Sequence, residues 1–237
     1  MLKRWCSSVV SWLQPKSTEL SVGERMRADW DQRARQNPQY FVATSREQWN
    51  DGDFFQSGVE WTQEQIMSDM LSIARGRSPK RMKVLEIGCG MGRVTRSLAE
   101  IFGIVYGVDI SLEMLLHGKR VLAERTNVQL CQNSGADLAM FSNGTFDFAL
   151  SWVVFQHIPR KAIVQNYIEE VSRVLKANSL FKCQVQGYPI PEQDADTWTG
   201  VGFSEEEMKH IAHSAGLEIL KSSGAGTQYY CLDFLKP

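Results

Sequence analysis

The sequence predicts an α/β fold: a seven-stranded, mostly parallel sheet with helices on both faces. Two observations carry this. From Met82 onward, apolar runs at about 83–88, 104–109, 128–132, 146–151, 179–186, 217–222 and 228–235 alternate with helical patterns at about 92–101, 112–124, 160–176 and 204–215. Such alternation implies a sheet covered on both faces. The last two runs are joined by Ser222-Ser223-Gly224-Ala225-Gly226 alone. That is too short for a right-handed crossover, so they pair antiparallel or sit apart.

The first element of this domain is also the most informative. Val84-Leu85-Glu86-Ile87 meets three glycines at alternate positions, Gly88, Gly90 and Gly92, with Cys89 inside the turn. Val94, Leu98, Ile101 and Phe102 follow at helical spacing. A second apolar run, Ile104 to Val108, ends on Asp109. Strand, glycine turn, helix, strand and acid make the first half of a nucleotide-binding unit. The dinucleotide fingerprint G-x-G-x-x-G would need a third glycine where Arg93 stands, and no Gly-Lys-Ser/Thr follows to make a P-loop.

Ahead of it the chain divides into a leader, 1–20, and a mainly helical cap, 21–80. Leu2, Trp5, Val9, Trp12 and Leu13 share one helical face. This reads as a terminal helix, with peripheral membrane contact through 1–13 as the sharper alternative. Residues 24–34 are strong helix formers ended by Asn37-Pro38. Trp49-Asn50-Asp51-Gly52-Asp53 reads as a loop, and Thr62 with Gln65 as the capping box of a helix burying Ile66, Met70, Leu71, Ile73 and Ala74. Gly76 and Pro79 stop that helix.

Composition narrows the function classes. The 237 residues are 43% hydrophobic and 22% charged, with net charge −1, as in a soluble globular protein. No basic stripe marks a nucleic-acid footprint, which argues against a nucleic-acid partner. The five cysteines are scattered, without metal-ligand spacing, so no metal is expected and a reducing, cytoplasmic setting is. No run is long and apolar enough to span a membrane. His210 and His213 are three apart on one helix but have no third ligand, and read as surface or packing histidines.

The residues from Glu86 to Asp109 resemble those of the class I S-adenosylmethionine (SAM) methyltransferases, whose motif I reads much like LEIGCGMG and whose second strand ends on an acid. The resemblance covers about residues 82–235. It implies a Rossmann-like, seven-stranded sheet with an antiparallel last strand, and SAM as cofactor with S-adenosylhomocysteine as product. Gly88, Gly90 and Gly92 let the backbone approach a ligand, and the helix after them points its positive end there. The resemblance lays the methionyl part over this turn, with Glu86 near its amino group. Asp109 can hold both ribose hydroxyls, or else cap the next helix, which Ser111 can also do. Ile110 lies against the adenine face, helped by Met114.

Two later segments extend the resemblance. In Asn133-Ser134-Gly135-Ala136-Asp137-Leu138, Asp137 fits the acid that takes the adenine amino group, with a backbone N–H of the Ala136–Leu138 stretch reaching a ring nitrogen. Phe146 to Pro159 resembles the family's FDxVxSxxxxHH(I/L) segment, with Ser151 and Trp152 at the carboxyl end of a central strand. Gln156 replaces the first of the usual two histidines. His157 is either a general base or a cap that holds the cofactor loop. Asn178, in place of a glycine in the family's RVLKPGG, is able to take a left-handed turn.

Substrate identity lies in the covering parts. The 21–62 region offers Trp30, Arg33, Tyr40, Phe41, Trp49 and Trp61, and an insertion at 187–203 offers Tyr188 and Trp198. The resemblance has a helix with a Trp-Asp-x-Arg-Ala-like run close over SAM, with Arg33 or Tyr40 near its carboxylate. Trp30, Trp61, Tyr188 and Trp198 are the expected acceptor contacts, since aromatic walls suit a small, partly apolar molecule. The motifs of amino methylation on bases, (N/D)PP(Y/F), and of cytosine methylation, Pro-Cys, are absent. The reading is methyl transfer to oxygen or nitrogen of a small-molecule acceptor. The alternatives are an NAD(P)-binding oxidoreductase and a SAM-binding scaffold without turnover.

Overall fold

A computed structural model describes residues 20–237; the amphipathic pattern of residues 1–13 and nearly all of the leader lie outside the described residues. The strands are β1 (Lys83–Ile87), β2 (Ile104–Asp109), β3 (Val128–Gln132), β4 (Phe146–Ser151), β5 (Leu175–Val185), β6 (Glu218–Ser223) and β7 (Tyr230–Lys236). They form one sheet in the order β3-β2-β1-β4-β5-β7-β6. From β3 to β5 every pairing is parallel, whereas β7 runs antiparallel to both β5 and β6. β4 is buried throughout, as a central parallel strand covered on both faces must be. The strand order reverses between β1 and β4, and open α/β sheets bind their ligands at that crevice.

The helices are α1 (Val22–Gln36), α2 (Pro38–Val42), α3 (Asp51–Thr62), α4 (Met70–Ala74), α5 (Arg93–Ile101), α6 (Leu112–Val121), α7 (Lys161–Val174) and α8 (Glu205–Ser214). α1 and α8 open with complete capping boxes, Ser21 with Glu24 and Ser204 with Glu207, so two donors are satisfied reciprocally at each start. One face of the sheet packs Leu85, Phe146, Phe181 and Phe234 against Tyr167, Ile168 and Val171 of α7 and Met208 of α8. The other packs Val84, Val105, Phe148 and Leu180 against Leu98 of α5 and Ile73 of α4.

The cap departs from its sequence reading. The residues from Asn50 to Asp53 start α3: the Asn50 side chain accepts the Asp53 N–H at 2.8 Å. Turn formers and N-caps are the same residue types, and Asp51 and Asp53 favour the helix N-terminus. Thr62 therefore ends a helix, and its hydroxyl donates back to the Gly58 carbonyl. Gln63–Met67 continues as a π-turn, and Leu71 is 94% exposed while Ile66, Ile73 and Ala74 are buried. Asn178 takes the left-handed conformation expected, at φ 54°.

A buried ion cluster ties cap to sheet. The Lys182 ammonium of β5 lies 2.5 Å from Asp69, just ahead of α4, and 3.2 Å from Asp233 of β7. Lys221 of β6 also reaches Asp69. Removing the shared cation strands the buried Asp233 carboxylate and leaves Asp69 with Lys221 alone. Lys182→Ala is expected to lower the unfolding free energy by about 3–5 kcal/mol in a urea titration; a loss below the measurement error would show that the cluster contributes nothing to folding.

Candidate active site

The carboxyl ends of β3, β2, β1 and β4 open into a cavity of about 950 Å³, counting solvent at its mouth. Its floor is the β1–α5 turn. Gly88, Gly90 and Gly92 all have positive φ, at 72°, 53° and 88°, a conformation that side chains resist. Each is also closely packed by protein. A Cβ on Gly88 would lie 2.2 Å from Val154, one on Gly90 2.8 Å from Val42 of α2, and one on Gly92 2.6 Å from Leu122. Gly92 thus packs against the end of α6 and does not line the cavity, while Gly88, Cys89 and Gly90 do.

Asp109 joins the two halves of this floor. One carboxylate oxygen accepts the Gly90 N–H and the other the Ser111 N–H, both at 2.8 Å. Helix capping is left to Ser111, whose hydroxyl accepts the Met114 N–H. Glu86 is buried under the turn and accepts the Thr95 hydroxyl at 2.5 Å. Burial pushes the Glu86 carboxyl up to about 7 and that of Asp109 up to about 6. Arg93, at the first position of α5, also lines the cavity. Its guanidinium touches Ser57 at 3.4 Å, its Nε is buried without a partner, and burial lowers its pKa. Its place after the third glycine was its sequence signal, read there only as a mismatch to another motif.

The wall beyond β4 carries strain. Val153 has φ 56°, a true outlier for a β-branched residue. Its N–H is held by the Gln184 side chain at 3.1 Å, and Gln184 also donates to Gln156 at 2.9 Å. Gln156 in turn meets the His157 Nε2 at 3.2 Å, and the His157 Nδ1 bonds the Trp198 carbonyl. A neutral ring fits both contacts, with its proton on Nδ1. Burial lowers the His157 pKa to about 4. His157 lines the cavity, but both nitrogens are engaged.

The cap closes the cavity from above. Met26 and Trp30 of α1 and Phe41 and Val42 of α2 line it. Trp30 packs on His157 and Trp198, with ring centroids 5.3 and 6.4 Å away. Asp31, beside it, accepts the Ser111 hydroxyl at 2.6 Å and the Glu113 N–H. Arg33 forks onto the carbonyl and hydroxyl of Thr197, each at 3.0 Å, and lies over the Trp30 and Trp198 rings.

Several expected site residues stand elsewhere. Arg33 faces the 187–203 segment because Thr197 offers two acceptors in line with its fork. Tyr40 sets its ring edge against Phe41; neither lines the cavity. The Asp137 carboxylate closes a local turn, accepting the Ser134 hydroxyl and the Ala139 N–H. The Ala136 N–H goes to Ser134 and the Leu138 N–H to Glu170, with the Leu138 side chain in the core. Asn133 and Gly135 line the cavity in their place, together with Tyr167 and the expected Ile110 and Met114. Ser151 is buried in the sheet with an unbonded hydroxyl. Trp152 lines the cavity, and Trp61 packs behind it at 5.3 Å. Tyr188 is half exposed. Trp198 reaches the site through His157, Trp30 and Phe41.

Comparison with known proteins finds similarity in sequence and in fold. Residues 84–178 match the family model of a methyltransferase domain. Demethylmenaquinone methyltransferase of Staphylococcus aureus (strain MRSA252) is 28% identical over 138 residues, 57% of this chain and 53% of the relative. That of Staphylococcus carnosus (strain TM300) is 26% identical over 151 residues, 62% and 58% of the two chains. The chain spans about half the length of the curated relatives it matches. Magnesium protoporphyrin IX methyltransferase from Synechocystis PCC 6803, solved with bound SAM, superposes with TM-score 0.63 at 19% identity, over 93% of this chain and 99% of that one. A SAM-dependent methyltransferase from Aquifex aeolicus superposes with TM-score 0.52 at 18% identity, over 79% and 97%.

The raised carboxyl pKa values give the ligand-free protein a pH signature. A carboxyl whose folded pKa exceeds its unfolded one binds its proton more tightly in the fold. Its contribution is complete below about pH 4 and is lost as pH rises through the folded pKa, about 7 for Glu86. Chemical denaturation at pH 5 and pH 8 is expected to show Glu86→Gln losing less stability than wild type over this interval, by on the order of 2–3 kcal/mol. Parallel behaviour of the two proteins would contradict the buried, protonated carboxyl.

Proposed function

We propose that this chain is a class I, SAM-dependent methyltransferase that moves the methyl group of SAM to an oxygen or nitrogen nucleophile of a small-molecule acceptor, a reading supported by the match of residues 84–178 to a methyltransferase-domain model. The observation that carries the cofactor half is a pair of opposite groups at one end of the cavity, a buried carboxyl and a half-buried guanidinium. Glu86 and the unbonded Nε of Arg93 flank the glycine turn at the positive end of α5. A carboxylate and a guanidinium side by side complement the ammonium and carboxylate of an amino acid. Asp109, whose oxygens each accept one backbone N–H, keeps lone pairs for two ribose hydroxyls. A residue larger than glycine at position 88 or 90 would collide with Val154 or Val42, which line the cavity.

SAM supplies an activated sulfonium methyl group, so this chain's residues have to align, enclose and desolvate. Glu86, Arg93 and Asp109 hold the two ends of the cofactor. Trp30, Trp152, Val153 and His157 wall the space beyond the turn and keep water from the acceptor. His157, bonded at both nitrogens and held near pKa 4, serves in this reading to position Trp198 and not as a base. The acceptor's own acidity then sets when it can attack.

The small-molecule acceptor draws support from the relatives, whose names give demethylmenaquinone and magnesium protoporphyrin IX as what they methylate. It also draws support from the cavity's largely apolar and aromatic lining. The methyltransferase-domain match favours SAM over a dinucleotide.

Calorimetric titration with S-adenosylhomocysteine tests the reading directly. Binding is expected to tighten from pH 5.5 to pH 7.5, as Asp109 and Glu86 ionise through about 6 and about 7. Asp109→Ala is expected to weaken it by roughly 1–3 kcal/mol. No heat at millimolar ligand would overturn the assignment, and radiolabel transfer from SAM into an acceptor extract distinguishes turnover from binding alone.

A further inference from the structure

Gln184 of β5 is fully buried, and its one side-chain amide serves three segments. Its Oε1 accepts the Val153 N–H at 3.1 Å. Its Nε2 donates to Gln156 Oε1 at 2.9 Å and to the carbonyl of Gln228, in the connection between β6 and β7, at 2.8 Å. The 187–203 segment is anchored beside both acceptors. The Gly187 N–H donates to the Thr227 carbonyl, next to Gln228, and the Gly200 N–H donates to the Gln156 carbonyl.

The third partner, Val153, lies two residues beyond the end of β4 with φ 56°. A valine resists this backbone and relaxes out of it unless something outside it holds the peptide. A carboxamide suits that task, since it offers one acceptor and two donors in a fixed plane. The bend has two consequences at the site. Trp152 and Val153 line the cavity. Val154 lies on the β1–α5 turn, where its methyl groups fill the space that a Cβ on Gly88 would need, 2.2 Å from Val154 Cγ2. Gln184 itself does not line the cavity.

We propose that Gln184 is a positioning residue for methyl transfer. It holds Val153 left-handed, and so keeps the wall beyond β4 in register with the β1–α5 turn on one side and the 187–203 segment on the other. This rests on the methyltransferase reading above.

The test is a double-mutant cycle read by calorimetry of the full chain with S-adenosylhomocysteine. With Val153 in place, Gln184→Leu is expected to weaken binding roughly 10-fold or more, as Val153 gives up its left-handed backbone. In the Val153→Gly background, glycine takes that backbone freely, and the same Gln184→Leu change is expected to cost no more than about 3-fold. Equal losses in the two backgrounds, or no loss in either, would overturn the proposal. Urea denaturation covers the case in which Gln184→Leu does not fold. At an ordinary position alanine is more stable than glycine, and at a left-handed one the order reverses. Val153→Gly is therefore expected to unfold at higher urea than Val153→Ala, and the opposite order would remove the strain on which the proposal stands. Wild-type protein that binds no S-adenosylhomocysteine would remove the methyltransferase reading, and this inference with it.

Discussion

The site depends on one hydrogen bond, from the Gly90 N–H to the Asp109 carboxylate. It fastens the first β–α turn to the end of β2, beside the Gly88 and Cys89 N–H groups that donate to the Val108 carbonyl. The turn has positive φ at each of its three glycines and so has little local preference for its own shape. Asp109 supplies that preference and is in turn oriented by Ser111. The cost is visible in its raised pKa: a carboxylate buried with backbone donors but no cation is destabilised unless something else arrives.

α1 translates that floor into a closed chamber. Trp30, Asp31 and Arg33 diverge in three directions over one turn of helix. One packs on His157, one caps α6, and one grips Thr197. The same short stretch therefore bridges the β2–α6 side and the 187–203 side of the cleft. The latter is pinned independently, since the Gly200 and Val201 N–H groups donate to the Gln156 and Ile158 carbonyls. Roof and far wall share a frame in which moving either disturbs the Gln184–Gln156–His157 chain and the strained Val153 at its end.

What the sequence disclosed follows from the range of the forces involved. The seven strands were legible to within a few residues because burial on both faces demands apolar runs, and the turns between them break those runs. Gly88, Gly90 and Asp109 were legible as lining of one cleft because the strand–turn–strand unit that brings them together is local. Residues whose roles are set by distant partners were not. Arg93 donates to Ser57 of α3, and Asn133 to Tyr167, 34 residues away. Arg33 turns to Thr197 across 164 residues, and no spacing rule reports which way a guanidinium turns. The start of α3 was misread because Asn50 serves a turn and a cap equally well. Val153 gave no signal, since nothing in a valine announces a left-handed backbone.

The place of β7 has a consequence for the order of assembly. It lies between β5 and β6, yet it follows both in the chain. Until it is made, β5 has one open edge, and β6 has no neighbour in the sheet at all. Buried Phe181 and Cys183 on β5, which register against Phe234 and Leu232 of β7, are then unsheltered on a nascent chain. The nucleotide-binding half, β1 to β4, suffers no such delay, since each of its strands finds a partner earlier. Folding should therefore be polarised, with the β1–β4 half formed first and the β5–β7–β6 half of the sheet locked by long-range pairing that arrives last.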